Sequence, residues 1–292
     1  MLIKIANGGR LSPKTSITKP DDGEDGDMVS VAFFGSHPLG EACLERLVAH
    51  DEITVETVVT YPRDYDAWWD GSVHERALDH DLPVLTVDEE DRVVGRDFDY
   101  LLSVYYPNIL GPDLLNTPRE AALNLHQAEL PRYRGSNVFS HSIMNARADD
   151  HWRHGTTLHV MAEDVDAGDV IDRKFVPITE EDTARTLYER VRGASVELFE
   201  ERLPAIAARE IDELATPQSD FDGERYFYAK DSLDDLKEIP PEKLTASDEQ
   251  TQLAIYDRVR ALDFPPHEPA WTRVGDRKLY LTKSDYESVL AE

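Results

Sequence analysis

Asn124, His126 and Asp166 are the residues of this chain whose types and spacing speak most directly of chemistry. Asn124 and His126 sit two apart in the run Ala122-Leu123-Asn124-Leu125-His126, and positions i and i+2 of a strand face the same side, so an amide and an imidazole would stand together. The turn Glu163-Asp164-Val165-Asp166-Ala167-Gly168-Asp169 comes later and can bring a carboxylate to the same place. An amide donor, an imidazole and a carboxylate are what acyl transfer to an amine needs: donors for an oxyanion and a base for the incoming nitrogen. No nucleophile from the protein is required, because the amine attacks directly.

Further stretches surround these residues: Leu130-Pro131-Arg132-Tyr133-Arg134-Gly135, then Gly155-Thr156-Thr157-Leu158-His159. The ordered set Asn-x-His, Leu-Pro-x-x-x-Gly, Gly-x-Thr-x-His and Asp-x-Gly resembles the formyltransferase family that uses N10-formyltetrahydrofolate. That family includes the methionyl-tRNA, glycinamide ribonucleotide and nucleotide-sugar formyltransferases, and the resemblance covers roughly residues 29–205. It implies that Asn124, His126 and Asp166 are the catalytic residues. Asn124 and a protonated His126 would stabilise the oxyanion, while Asp166 would keep His126 charged and accept the proton of the amine through water. His159 would play a supporting part or make a core hydrogen bond, outside direct catalysis. The resemblance further implies N10-formyltetrahydrofolate as co-substrate, bracketed by Ser103, Val104 and Tyr105 on one side and Val165, Ala167 and Gly168 on the other, and no metal. Where many members read Ser-Leu-Leu-Pro, this chain has Ala128-Glu129-Leu130-Pro131, so a role for that serine hydroxyl does not carry over. The run Tyr133-Arg134-Gly135-Ser136-Asn137-Val138-Phe139-Ser140 is similar to the sugar-modifying branch.

The elements that must position these residues alternate along the chain. Val29 to Phe34 is an apolar run of strand length, and Leu39, Cys43, Leu44, Leu47 and Val48 then recur at helical spacing. The turn between them, Gly35-Ser36-His37, has neither a Gly-x-Gly-x-x-Gly fingerprint nor a P-loop lysine, which disfavours a dinucleotide or nucleoside triphosphate cofactor. Strands are expected at 54–60, 99–105, 123–126, 156–161 and 170–176. Helices are expected at 73–80, 138–147 and 183–209, the last interrupted by Pro204. Such alternation predicts an α/β fold, a Rossmann-like and mostly parallel sheet flanked by helices, with its ligand crevice at the carboxyl ends of the strands. Asn124 and His126 fall at one such end.

Four regions follow from composition. Residues 1–27 form a polar acidic tail, 28–209 a globular stretch that the resemblance makes a formyltransferase catalytic domain, 210–250 an acidic connection, and 251–292 a small region that by the same resemblance is an appended domain. In the last, Ile255, Val259 and Leu262 mark a short helix, and Gly275-Asp276 a hairpin turn. The net charge of −28 comes from 59 acidic against 31 basic residues, and lysine supplies only nine of the latter. Self-repulsion of that size is screened at high salt, where the Debye length falls to about 3 Å at 1 M, and the pattern resembles proteins of halophilic archaea. A single cysteine, Cys43, excludes an internal disulfide, and no apolar stretch approaches membrane-spanning length, so a cytoplasmic protein is expected.

The acceptor is read as a small-molecule amine, first a nucleotide-linked amino sugar, with Arg132, Tyr133 and Arg134 binding it and the two guanidiniums gripping an anionic group. Methionyl-tRNA ranks second, since a tRNA binder ordinarily carries a basic footprint that this chain lacks. A catalytically inactive folate-binding or assembly protein ranks third, and a homodimer is the candidate assembly. Tyr61, Tyr65, Trp68 and Trp69 form either an aromatic wall for a flat ring or a plain loop anchor.

Overall fold

The structure, a computed structural model, describes residues 28–244 and 248–290, so the expected tail at 1–27 lies outside the described residues. Strands β1 (Val29–Gly35), β2 (Ile53–Thr60), β3 (Val84–Thr86), β4 (Tyr100–Val104) and β5 (Ala121–His126) run parallel to one another. Helices α1 (His37–Val48), α2 (Val73–Asp79) and α3 (Pro112–Leu115) fall between them. A short strand β6 (Tyr133–Gly135) and helix α4 (Val138–Ala148) follow. Strands β7 (Arg153–Val160) and β8 (Val170–Pro177) then extend the sheet antiparallel, in the order β3-β2-β1-β4-β5-β7-β8.

The sequence of β1 explains why it is central. Val31 and Phe33 enter one core with Leu44, Leu47, Leu198 and Phe199, while Ala32 and Phe34 enter a second with Val59, Phe98 and Leu101. A strand covered on both faces reads as a continuous apolar run rather than an alternation.

Helix α5 (Ala184–Ala207) runs through Pro204 without the expected interruption. The proline removes one N–H only a few residues from the helix end, and the buried face of Leu198, Phe199, Leu203 and Ile206 keeps the last turn on the sheet.

The remaining elements are α6 (Ile211–Leu214), β9 (Tyr226–Tyr228), α7 (Pro241–Leu244), α8 (Glu249–Leu262), β10 (Ala270–Val274), β11 (Arg277–Leu281) and α9 (Lys283–Leu290). Several of them lie against the earlier part of the chain, α6 by placing Ile211 in the core that holds Val31 and Phe33. β9 pairs in parallel with β6, Tyr133 opposite Tyr226 and Gly135 opposite Tyr228. α8 seats a fully buried Arg260, which donates to the carbonyls of Thr179 and Asp182 and pairs with Asp257, while Asp257 also accepts from Arg147 on α4. Ile239, Ile255, Val259, Ala270 and Leu281 form a separate small core around α8 and the β10–β11 hairpin.

Candidate active site

The strand order reverses between β1 and β4, and crevices for ligands in open α/β sheets lie beyond the carboxyl ends of the strands at such a reversal. Asn124 and His126 occupy the carboxyl end of β5, one strand away. Across the antiparallel pair Asn124 faces His159 and His126 faces Thr157. Gly155, Thr157 and His159 are spaced by two, so they share this face, and each has a structural task. A Cβ on Gly155 would press within 3.2 Å of the Glu129 backbone. Thr157 Oγ1 donates to Ala128 O (2.7 Å) and accepts from Leu130 N (3.1 Å), fixing the loop after β5. His159 holds the amide of Asn124, with Nδ2 and Nε2 at 3.1 Å.

His159 is neutral. Burial pushes its pKa down to about 4, against the opposing pull of Asp166. Its Nδ1–H donates to Val160 O (2.8 Å), which leaves Nε2 as the lone pair that accepts an Asn124 N–H. A β-bulge beside it, where the register of β7 with β8 shifts between Leu158 and His159, accompanies this orientation.

His126 Nε2–H donates to Tyr133 O at 3.0 Å and lies 3.7 Å from Asp166 Oδ2. The other carboxylate oxygen lies 3.7 Å from His159 Nε2. Asp166 thus stands between two imidazoles, with a side chain 12% exposed. Burial works against its ionisation, yet His126, His159, the N–H of Gly135 and Arg134 together hold its pKa below the ordinary carboxylate value.

The turn that presents Asp166 is held on several sides. Asp166 has φ 52, a left-handed conformation costing an L residue about 1–2 kcal/mol but more accessible to Asp than to most. Gly135 N donates to Oδ2 at 2.8 Å, and both Nε and Nη2 of Arg134 donate to Val165 O. Gln218 Nε2 donates to Asp166 O (2.8 Å) and Gly168 O (2.7 Å). Gly168 is packed so closely that a Cβ would sit 1.9 Å from Val160 O. Gly135 must also be glycine: its φ is 87, and a Cβ would sit 2.2 Å from Tyr228 O on β9.

The residues expected at the folate contribute mostly backbone. Ser103 and Val104 are buried within β4, Val104 O accepts from Ser36 N, and Tyr105 O accepts from Ser36 Oγ (2.5 Å). Tyr105, at φ 53, stacks its ring on His37 with centroids 4.0 Å apart. His37, at φ 70, accepts Leu39 N–H at Nδ1 and donates from Nε2 to the Tyr188 hydroxyl oxygen at 2.6 Å, and burial drives its pKa down to about 3. Beside them opens a cavity of about 80 Å³ lined by Ser36, His37, Tyr61, Arg63, Tyr65 and Trp69. Tyr61 and Tyr65 stack at 3.7 Å, and Trp68 and Trp69 pack edge-on against each other. Val165, Ala167 and Gly168 lie around Asp166, with Val165 O taken by Arg134 and Gly168 O by Gln218.

The expected anion grip does not match the geometry. Arg132 is 8% exposed and pairs with Asp149 at 2.5 Å. Tyr133 is fully buried and offers the site its carbonyl, not its ring. Arg134 is committed to Val165 O. The physical reason is that each already has a partner within the protein: Tyr133 O holds His126, Arg134 holds the turn of Asp166, and Arg132 is paired with Asp149. Two groups of the site went unread in the sequence. Gln218 lies in a stretch without periodicity, and Tyr226–Tyr228 is a three-residue strand whose partner is ninety residues away, so neither leaves a local signal.

Residues 88–203, which hold Asn124, His126, His159 and Asp166, match the formyl transferase family. The bifunctional polymyxin resistance protein ArnA of Wigglesworthia glossinidia brevipalpis is 28% identical over 267 residues, covering 88% of this chain but only 38% of that protein. A methionyl-tRNA formyltransferase of Listeria monocytogenes is 28% identical over 268 residues, covering 89% of this chain and 80% of its own length. Among solved structures, a 4-N formyltransferase from Francisella tularensis superposes with a TM-score of 0.69 at 17% identity, covering 88% of this chain and 98% of that one. An N-formyltransferase from Helicobacter canadensis, solved with folinic acid and dTDP-3-aminofucose, gives 0.65 at 19% identity, with 86% of each chain covered.

Proposed function

We propose that this chain, an N-formyltransferase whose residues 88–203 match the formyl transferase family, moves the formyl group of N10-formyltetrahydrofolate to the amine of a nucleotide-linked sugar. The observation that carries the reading is the convergence at the end of β5: an amide fixed by a neutral His159, an imidazole fixed by Tyr133 O, and a carboxylate between the two histidines.

The donor set fits a carbonyl under attack. With Nε2–H of His126 on Tyr133 O, Nδ1 is the nitrogen left to address a ligand. When His126 is protonated, Nδ1–H and the remaining Nδ2–H of Asn124 are two donors toward an oxygen that gains charge. Asp166, ionised and 3.7 Å from His126, stabilises that imidazolium. As the amine nitrogen bonds to the formyl carbon it sheds a proton, which Asp166 takes through water and returns to N10 as the bond from the formyl carbon to N10 breaks, so that the carboxylate ends as it began. No side chain becomes acylated. The bound donor supplies the formyl group, and the turn of Val165 to Gly168 with the carboxyl end of β4 would flank it.

Support for a sugar acceptor comes from the run Tyr133 to Ser140 and from the excess of acid over base, 59 to 31, which opposes a polyanion as large as tRNA. The Helicobacter canadensis neighbour was solved in complex with dTDP-3-aminofucose, a nucleotide-linked amino sugar. Methionyl-tRNA is the second reading, favoured by Listeria relatives matching 89% of the chain. The two are separated by offering aminosugar nucleotides and initiator methionyl-tRNA in parallel, in molar salt with formyl donor present, and following transfer by mass spectrometry. Formylation of the tRNA and of no sugar nucleotide reverses the order.

A further inference from the structure

The stretch after α6 carries one side chain that acts on the site from outside it. Gln218 is 8% exposed, and its single amide nitrogen meets two carbonyls, Asp166 O at 2.8 Å and Gly168 O at 2.7 Å. The backbone that carries it is anchored at both ends. Thr216 and Val170 exchange N–H···O bonds of 2.8 Å, and Arg225 Nη2 donates to Gln218 O (2.8 Å) and Phe221 O (2.9 Å). The amide is therefore delivered by a fixed frame.

The consequence falls on Asp166. Its left-handed backbone, φ 52, is what aims one carboxylate oxygen at His126 and the other at His159, each at 3.7 Å. Both Nε2–H bonds of Gln218 go to carbonyls of this turn, one of them the carbonyl of Asp166 itself. Without them two largely enclosed acceptors lose their donor, and the peptides of the turn rotate toward another partner. Rotation there swings the carboxylate away from both imidazoles. Arg134 and Gly135 hold the turn from the opposite side, through Val165 O and the carboxylate, and neither reaches these two carbonyls.

We propose that Gln218 is a positioning residue for formyl transfer, a bracket across Asp166 and Gly168 that keeps the carboxylate of Asp166 between His126 and His159. The inference rests on the reading of Asp166 as the working carboxylate. Gln218 itself touches no substrate.

The test is a double-mutant cycle on the full chain with a carboxyl titration beside it. Gln218→Met keeps length and volume and removes the donor; Gln218→Glu, of the same shape, is the second variant should the first not fold. Turnover is measured with N10-formyltetrahydrofolate and the aminosugar nucleotide that accepts formyl. We expect Gln218→Met to lower kcat roughly ten- to a hundredfold, with KM for either substrate changed less than about threefold. In an Asp166→Asn background the same substitution should cost less than about twofold. Carbon-13 NMR, which needs no substrate, should show the Asp166 carboxyl titrating at higher pH in Gln218→Met than in the wild type. A purely structural role would reduce the folded fraction and leave both readouts unchanged per folded molecule. Multiplicative losses in the cycle, or an unmoved Asp166 titration, overturn the proposal while the formyl-transfer reading stands. Wild-type turnover in Asp166→Asn alone removes the carboxylate reading and Gln218's role with it.

Discussion

Replacing Asp166 by Asn removes one charge and preserves shape, so its effect can be worked from the geometry. Oδ2 lies 3.7 Å from His126 Nε2, and the two side chains are 11% and 12% exposed. At that separation and an effective dielectric of about 20, an imidazolium and a carboxylate attract by about 4 kcal/mol. An asparagine keeps an oxygen for Gly135 N–H and part of that attraction as a dipole. The net loss in the transition state, where His126 carries its charge, is then about 2–4 kcal/mol, or roughly thirty- to a thousandfold in kcat. The assay is steady-state formyl transfer, with calorimetric titration of N5-formyltetrahydrofolate as the control for binding. Affinity for the folate should change little. The pH profile sharpens the test: because the pKa of Asp166 is held below the ordinary value, its ionised form is present at neutral pH, and its protonation adds a limb to the wild-type profile only as acid passes through that lowered pKa, below the limb set by the amine itself. That limb should vanish in Asp166→Asn. A variant within about threefold of wild-type kcat refutes the assignment of a charged partner to His126.

Four histidines set an acid limit on stability. His37, His141, His154 and His159 have folded-state pKa values lowered by burial to about 3 for the first and about 4 for the others, so the unfolded chain binds their protons first. The stability they contribute is complete above the ordinary histidine pKa of about 6.5 and is lost as pH falls toward 4, at up to about 1.4 kcal/mol per pH unit for each; a melting temperature flat across that window contradicts their burial as neutral rings. Gly168→Ala places a Cβ 1.9 Å from Val160 O, so it should cost about 1–3 kcal/mol in denaturant unfolding and at least tenfold in kcat by displacing Asp166; wild-type kinetics would mean that the turn has slack. Arg260→Met strands two carbonyls in the interior and leaves Asp257 to Arg147 alone, so it should cost about 2–4 kcal/mol, read as a lowered urea midpoint, whereas an unchanged midpoint would show that α8 docks without the network. The net charge of −28 predicts a melting temperature that climbs between about 0.1 M and 2 M potassium chloride, and a falling one would remove repulsion as the governing term.

What could be read from the sequence was what has a local period or an ordered motif. The central strands declared themselves by continuous apolar runs, and the spacing by two of Asn124 and His126, and of Thr157 and His159, places each pair on one face of a strand. What could not be read depends on contacts distant in sequence. Arg132 and Arg134 carry the residue types of an anion grip, yet Asp149 and Val165 O claim them, and nothing in the loop sequence distinguishes a guanidinium turned outward from one turned in. Pro204 is a reliable helix breaker only where tertiary packing does not hold the turn, and Leu203 and Ile206 hold it here. Gln218 and Tyr226–Tyr228 lie in a stretch that composition describes as a connection, although one fixes Asp166 and the other pairs with the strand that carries Gly135. Each acts through one amide or three backbone residues, too little to leave a pattern.

The account stands most directly on a side-by-side measurement of wild type and His126→Ala in molar salt, with N10-formyltetrahydrofolate and a panel of aminosugar nucleotides, formylated product being counted by mass spectrometry. The wild type should formylate at least one sugar nucleotide, and His126→Ala should do so on the order of a hundredfold or more slowly while still binding N5-formyltetrahydrofolate. No formylated sugar nucleotide from folded wild-type protein, or equal rates for the two proteins, would contradict it.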